Sequence, residues 1–130
     1  MANEKCLRVA ADNLQRHQMG FEGEAIAQKI ISKKQKSAKL TRHKHEFDIL
    51  TNKEAWEVKT VGADAKDIKM TVKGSQKIAK ETWAAKNKKE IKSMLVVIND
   101  KIDVFVRDGV GGFRPNTMKK LGTFDKSEFE

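Results

Sequence analysis

Residues 46–59 read EFDILTNKEAWEVK, and this stretch decides the fold of the middle of the chain. Two runs rich in apolar residues flank Asn52-Lys53, a polar pair that is typical of a turn. The pattern predicts a β-hairpin with strands at roughly 46–51 and 54–61. Because the turn of a hairpin fixes its register, the same pattern predicts which side chains face each other.

The register that this turn sets brings two acidic side chains together. Ile49 faces Trp56, and Asp48 therefore lies opposite Glu57. Side chains two residues apart in a strand share a face, so Lys59 projects beside Glu57. Two carboxylates that face each other repel and weaken a sheet unless a cation lies between them. A hard divalent metal with oxygen ligands is the natural candidate for that cation.

The composition is that of one small basic domain. The chain has 130 residues, of which 38% are hydrophobic, so we expect a single core and one domain over residues 1–130. The formal net charge is +9 at pH 7. That charge favours a polyanionic partner, with nucleic acid ahead of an acidic membrane surface.

Cysteine content and the first residues of the chain predict a reducing compartment. Cys6 is the only cysteine, so the sequence offers neither a disulfide nor a cysteine-based metal site. The N-terminus has no apolar signal region, and no apolar run approaches the roughly 20 residues that span a bilayer. We expect a soluble cytoplasmic protein with no membrane partner.

Hydrophobic periodicity predicts an α/β fold. Apolar residues recur at helical spacing in three segments, over residues 3–18, 21–33 and 68–88. The apolar stripe predicted for the second segment consists of Phe21, Ala25, Ile26 and Ile30, and that for the third of Ile68, Val72, Ala79 and Trp83. Besides the hairpin, strands are predicted at 39–42, 93–99 and 102–106. A Gly-rich loop follows at 107–115, and residues 118–121 suggest one helical turn.

The hairpin and its acidic residues resemble the PD-(D/E)XK nuclease superfamily. Asp48, Glu57 and Lys59 form the pattern Asp-x8-Glu-x-Lys, whose short separation suits the hairpin of that family. Upstream, GFEGE at residues 20–24 resembles the Gly-x-x-x-Glu helix of Holliday-junction-resolvase-like members. The resemblance covers roughly residues 20–106, and it departs from the family pattern in having phenylalanine before the aspartate instead of proline.

The resemblance implies a restriction-endonuclease-like αβββαβ core with a mixed central sheet flanked by helices, and a nuclease that uses Mg²⁺ or Mn²⁺. Asp48 and Glu57 would bind the metal, with the backbone carbonyl of Val58 as a further ligand and Glu24 completing the shell through water. Lys59 would orient or deprotonate the attacking water, or neutralise charge at the scissile phosphate. The resemblance favours DNA over RNA. The small size of the chain and its lack of sequence-reading elements predict little sequence specificity. Because many relatives dimerise to cut both strands, it also implies a homodimer as one available form.

Two basic stretches flank the acidic hairpin. We expect them to bring a phosphate backbone to the site by charge alone. The residues that we expect to contact nucleic acid are Lys33, Lys34, Lys36, Arg42, Lys73, Gln76, Lys77 and Lys80. Gln76 lies on the helix after the Glu-x-Lys strand, where the superfamily often places an accessory polar residue.

The acidic residues and Lys59 also have an interpretation without catalysis. Asp48 and Glu57 fit the solvated face of a sheet, with Lys59 paired to Glu46 across the strand. Glu24 fits a favourable charge at a helix N-terminus.

The sequence leaves open the role of two histidines and two functions other than that of a nuclease. His43 and His45 suggest a metal cluster with Asp48, but their spacing matches no zinc site, and we interpret them as polar residues near phosphate. The chain could instead be a noncatalytic nucleic acid-binding module of the same fold, or a basic RNA-associated protein. All the acids of the motif and its lysine are present, which favours an enzyme.

Overall fold

The computed structural model describes residues 22–41, 45–62 and 74–129. A first helix, α1, covers 22–34. The elements that follow in these ranges are β1 (Lys39–Leu40), β2 (Ile49–Leu50), β3 (Glu54–Gly62), α2 (Gly74–Lys86), β4 (Glu90–Ile98), β5 (Ile102–Asp108) and β6 (Lys119–Phe124). Short 3-10 helices cover Pro115–Thr117 and Lys126–Phe129. The helix predicted at 3–18 lies outside the described residues.

The six described strands form one mixed sheet in the order β1-β2-β3-β4-β5-β6. Neighbouring strands run antiparallel in every pair except β3–β4, which is parallel over its whole length. Parallel neighbours need a crossover, and α2 lies between these two strands in the chain. The α/β class predicted from the sequence is therefore confirmed, and the sheet is mixed.

The two faces of the sheet carry separate apolar clusters. On one face, Ile26 of α1 packs in a cluster that includes Val58 of β3. On the other face, Ala84 of α2 packs with Ala55 of β3. Alternate residues of β3 therefore face the two helices, and Glu57 shares the α2 face with Ala55.

The β2–β3 hairpin forms in the predicted register, with Ile49 paired to Trp56. The paired part of β2 has two residues, fewer than the predicted 46–51. Just before it, the Asp48 carbonyl accepts hydrogen bonds from the amide and the hydroxyl of Thr41, at 2.9 and 3.2 Å. The Asp48 backbone is therefore held from the β1 side at the point where regular pairing with β3 ends.

Gly23 allows α1 to lie close to β3. A β-carbon on this buried glycine would collide with the side chain of Thr60. Because Glu24 is the next residue of the same helix, the close approach also brings its carboxyl group toward β3.

The apolar stripe of α1 differs from the predicted one, although the helix itself agrees with the predicted 21–33. Ala25 was expected in the stripe but is exposed, whereas Ala27 and Ile31 are buried. Gly23, Ala27 and Ile31 are four residues apart and so share one side of the helix. Gly23 and Ala27, which are small, lie on this side and let the helix approach the sheet closely.

Helix α2 is only lightly buried. Its described part, Gly74–Lys86, falls within the predicted helix at 68–88. Ala84 is buried, but Ala79, which was predicted on the apolar face, is exposed, and Ile78 is 68% exposed. Within the described ranges, no helix is both long enough and apolar enough to cross a membrane.

The C-terminal segment adds a strand where one helical turn was predicted at 118–121. Residues 119–124 form β6, which pairs with β5 at the edge of the sheet. The open edge of β5 provides hydrogen-bond partners that a local sequence pattern does not reveal. After β6, the ring of Phe129 packs against that of Phe124 with centroids 5.6 Å apart.

Candidate active site

Asp48 is fixed by the backbone at the point where β2 and β3 separate. Its amide donates to the Trp56 carbonyl at 2.9 Å. Its carboxylate Oδ2 accepts a hydrogen bond from the Val58 amide at 2.8 Å. The carboxylate is therefore held beside β3 by a main-chain donor.

Glu24 and Glu57 join Asp48 from two other elements. The Glu24 side chain, near the start of the described part of α1, hydrogen-bonds to the Asp48 side chain. Burial, followed by the charge of Asp48, raises the pKa of Glu24 to about 7. Burial and then Asp48 also raise the pKa of Glu57, against the opposing effects of Lys80 and Lys59. The charge of Asp48 thus disfavours the charged forms of Glu24 and Glu57.

Two lysines flank Glu57, which is only 9% exposed. The Lys80 ammonium lies 3.0 Å from Oε2, and the Lys59 ammonium lies 4.0 Å from Oε1. The side chain of Lys59 is 42% exposed, so it can reach a ligand in solution. The solvated face that was the alternative for Glu57 is wrong, and the ion pair of Lys59 is with Glu57, not with Glu46.

Lys80 lies inside this site and is not on the exposed surface that was predicted for it. Its side chain is 11% exposed, and its ammonium also donates to the Glu46 carbonyl and lies 5.2 Å from the centroid of the Phe47 ring. Lys80 faces the sheet because it lies one helical turn before the buried Ala84. That spacing was the available signal, but a search for apolar periodicity passes over a lysine.

A cleft of about 430 Å³ opens beside the carboxylates. Its lining consists of His45, Glu46, Glu57, Lys59, Ser75, Gln76, Ala79 and Lys80. Gln76 therefore lies beside the Glu-x-Lys pair, as predicted. His45 also has a structural role, because its Nδ1 accepts the Phe47 amide at 3.0 Å and its ring packs edge-on against Trp83.

The first basic stretch lies apart from the carboxylates. Lys33, Lys34 and Lys36 are exposed at or just beyond the C-terminal end of α1. Glu24 is near the other end of the helix, roughly 15 Å away at 1.5 Å per residue. A phosphate backbone bound at both places would have to run along α1.

The second basic stretch is described only in part. The Lys77 side chain is 53% exposed and lies 4.0 Å from Glu81, one turn further along α2. Arg42 and Lys73, together with His43, lie outside the described residues.

The chemistry of the donor set fits a hydrated hard cation. In the described ranges, no group of three or more His, Cys, Asp or Glu side chains is placed so that together they could hold a metal ion. Mg²⁺ usually keeps several waters and takes only one or two protein carboxylates. Asp48 and Glu57 offer carboxylate oxygens alone, and Glu57 is in a position where its negative charge is unfavourable. A divalent cation would remove that repulsion.

A second cavity, of about 330 Å³, is lined by six apolar and seven polar or charged side chains. It lies at the other end of α1, where Ile30, Ile31 and Trp56 contribute to its walls. None of the three clustered carboxyl groups lines this cavity, whereas Glu57 lines the cleft described above.

No protein-family model, curated protein or solved structure matches this chain. The geometry of Glu24, Asp48, Glu57 and Lys59 is therefore the basis on which a function is proposed.

The metal-free protein is expected to lose stability as the pH rises from about 4.5 to about 7. The pKa of Glu24 is raised from 4.5 to about 7, so the folded state binds a proton more tightly than the unfolded chain does. Its contribution to stability is complete below pH 4.5 and is lost as the pH rises through 7. Urea unfolding in EDTA at a series of pH values measures this effect.

The matched variant for that series is Glu24→Gln, which stays neutral throughout. The free energy of unfolding of the wild type minus that of this variant should decrease as the pH rises from about 4.5 to about 7. A difference that does not change with pH would contradict the raised pKa of Glu24, which burial and then the charge of Asp48 cause.

Proposed function

We propose that this protein is a metal-dependent nuclease that hydrolyses phosphodiester bonds, with DNA favoured over RNA. The observation that carries the proposal is the convergence of Glu24, Asp48 and Glu57 from three parts of the chain, with Lys59 beside Glu57. Clustered carboxyl groups with raised pKa values, here Glu24 and the cleft-lining Glu57, are more frequent at functional sites than elsewhere in proteins.

The order of the described elements supports a restriction-endonuclease-like core. Helix α1, three strands, α2 and β4 follow one another along the chain, in the αβββαβ order. Asp48 precedes β2, and the Glu-x-Lys pair lies in β3, where the resemblance to PD-(D/E)XK nucleases places these residues. The match in order and in position is independent of the charges that suggested the site.

Each residue of the site has a role that its surroundings permit. A bound Mg²⁺ or Mn²⁺ would neutralise charge on the phosphate and activate a water. Asp48 and Glu57 would hold it, with the Val58 carbonyl as a further ligand. The hydrogen bond from the Val58 amide to Asp48 keeps that carboxylate oriented before a ligand arrives. Glu24 would release its proton and take part through water.

Lys59 is the residue placed to act on the substrate. Its side chain lines the cleft and is more exposed than the carboxylate of Glu57. An ammonium there can donate to a nonbridging phosphate oxygen or orient the attacking water. Gln76 also lines the cleft and offers a neutral donor and acceptor for the same group.

One set of incubations tests the proposal. Supercoiled plasmid, single-stranded DNA and RNA are each incubated with the protein in Mg²⁺, in Mn²⁺ and in EDTA. We expect cleavage of DNA that requires a divalent cation and stops in EDTA. Cleavage that is equal in EDTA, or none with any of the three substrates in either metal, would contradict a metal-dependent nuclease.

A noncatalytic nucleic acid-binding module is the second candidate function. The ion pair between Lys80 and Glu57 favours it, because this lysine supplies a cation without any metal. Such a module would bind nucleic acid equally in Mg²⁺ and in EDTA and would leave every substrate intact.

The exposed lysines at the C-terminal end of α1 are expected to contribute to DNA binding whatever the DNA sequence. Reversing Lys33, Lys34 and Lys36 to glutamate should weaken DNA binding and flatten its salt dependence by roughly one unit of slope for each phosphate that is no longer neutralised. Filter binding with catalytically inactive protein, at several salt concentrations, measures the slope.

The matched control reverses three exposed basic residues on the β5–β6 side of the sheet, Lys101, Arg114 and Lys120. It changes the net charge by the same amount, so total charge is separated from position. Equal slopes of the salt dependence in the two triple variants would mean that the lysines at the C-terminal end of α1 have no special role in binding DNA.

A further inference from the structure

Lys80 forms an ion pair with Glu57, the carboxylate that the proposed function assigns to a metal. Its ammonium lies 3.0 Å from Glu57 Oε2, and both side chains are about nine-tenths buried. The ammonium is held from other sides by the Glu46 carbonyl and by the face of the Phe47 ring. A surface lysine that moves freely in water would have none of these partners.

We propose that Lys80 is an internal counter-ion that competes with a divalent cation for Glu57, so that this lysine sets the affinity of the site for metal. The inference rests on the proposed function. It deepens that function by naming a positioning residue on α2 that regulates metal binding.

The competition follows from the charges and from the space available. An ammonium in contact with Glu57 Oε2 prevents close approach of a second cation to that oxygen, and the two positive charges repel. The Glu46 carbonyl gives the ammonium a second partner, so Lys80 can give up Glu57 and still keep a hydrogen bond. Before metal arrives, the ion pair offsets the repulsion that Asp48 exerts on Glu57.

Removal of the Lys80 charge should increase the affinity of Glu57 for a divalent metal more than its affinity for a proton. Without the ammonium, Glu57 binds any cation more tightly. A divalent ion gains about twice the Coulomb energy that a proton gains from the same loss of positive charge. Tighter metal binding is therefore expected even where Glu57 also takes up a proton.

Calorimetric titration of Mn²⁺ into the metal-free wild type and into Lys80→Met tests the competition. Methionine keeps an apolar chain against Phe47 but has no charge. We expect roughly tenfold or tighter binding in Lys80→Met, since close charge pairs are commonly worth that much. Lys80→Arg, which retains the charge, should restore an affinity close to that of the wild type. Lys86→Met, which removes an exposed charge from the same helix, should leave the affinity unchanged.

The outcomes separate this inference from the proposed function. Equal or weaker Mn²⁺ binding in Lys80→Met overturns the counter-ion and leaves the nuclease in place. No Mn²⁺ binding in either protein overturns both.

A second measurement on the wild type covers the case in which Lys80→Met does not fold. Acetylation of lysines by an amine-reactive reagent, followed by mass spectrometry, measures how accessible each ammonium is. We expect Lys80 to react several-fold faster once Mn²⁺ is bound, with Lys77 unchanged as the internal reference. Unchanged labelling of Lys80 at saturating Mn²⁺ would mean that the metal does not displace it, and would overturn the inference.

Discussion

Replacing Asp48 by asparagine is expected to abolish metal-dependent cleavage and, at the same time, to stabilise the metal-free protein. Loss of a negatively charged ligand should reduce the rate by roughly 10³-fold or more, because the metal supplies most of the stabilisation of charge in the transition state. Asparagine keeps an oxygen that can accept the Val58 amide, so the local backbone should be preserved. Its neutrality removes the repulsion of Glu24 and Glu57. The free energy of unfolding at pH 7 in EDTA should rise by about 1 kcal/mol.

Plasmid cleavage and urea unfolding, carried out on the same preparation, measure the two effects of Asp48→Asn. The control is Asp125→Asn, an exposed aspartate whose ion pair with Lys101 at 3.8 Å contributes little. It should match the wild type in both measurements. Retained activity in Asp48→Asn would exclude this aspartate as a ligand. Lower stability would show instead that its charge supports the fold.

Replacing Lys59 by methionine is expected to separate chemistry from metal binding. Turnover should fall by about 10²- to 10⁴-fold, the range typical of a residue that moves a proton or neutralises developing charge. A lysine ammonium does not ligate Mg²⁺, so calorimetric affinity for Mn²⁺ should be retained. It should even increase somewhat, because a positive charge 4.0 Å from Glu57 Oε1 is removed.

Two further variants define the role of Lys59. Lys59→Arg should remain impaired, since a guanidinium is always protonated and cannot act as a base. Lys53→Met, which removes an exposed lysine from the hairpin turn, should be fully active. Loss of Mn²⁺ binding in Lys59→Met, with binding kept in Asp48→Asn, would show that the two roles are assigned wrongly.

The hairpin could be predicted from the sequence because each of its determinants is local. The turn at Asn52-Lys53 and the period-2 pattern around it fix the register, and Ile49 pairs with Trp56 as predicted. That register leaves Asp48 and Glu57 next to each other at the end of the paired region. The central acidic pair therefore required no knowledge of the rest of the fold.

Features set by packing between distant elements could not be predicted in the same way. In the sequence, Lys80 is one of several lysines of a basic helix. Only the packing of α2 on the hairpin brings its ammonium to Glu57. The buried side of α1 depends on how closely Gly23 lets the helix approach Thr60, which apolar periodicity does not encode. Strand β6 forms because β5 has an open edge.

The most direct test of a metal site at the carboxylates is an anomalous difference map from crystals soaked in Mn²⁺. We expect one strong peak about 2 Å from carboxylate oxygens of both Asp48 and Glu57, a distance typical of such cations. The Lys80 ammonium should have moved away from Glu57 Oε2 in the same crystals. A map at saturating Mn²⁺ with no peak between Asp48 and Glu57, and with Lys80 still paired to Glu57, would contradict the metal site and the nuclease built on it.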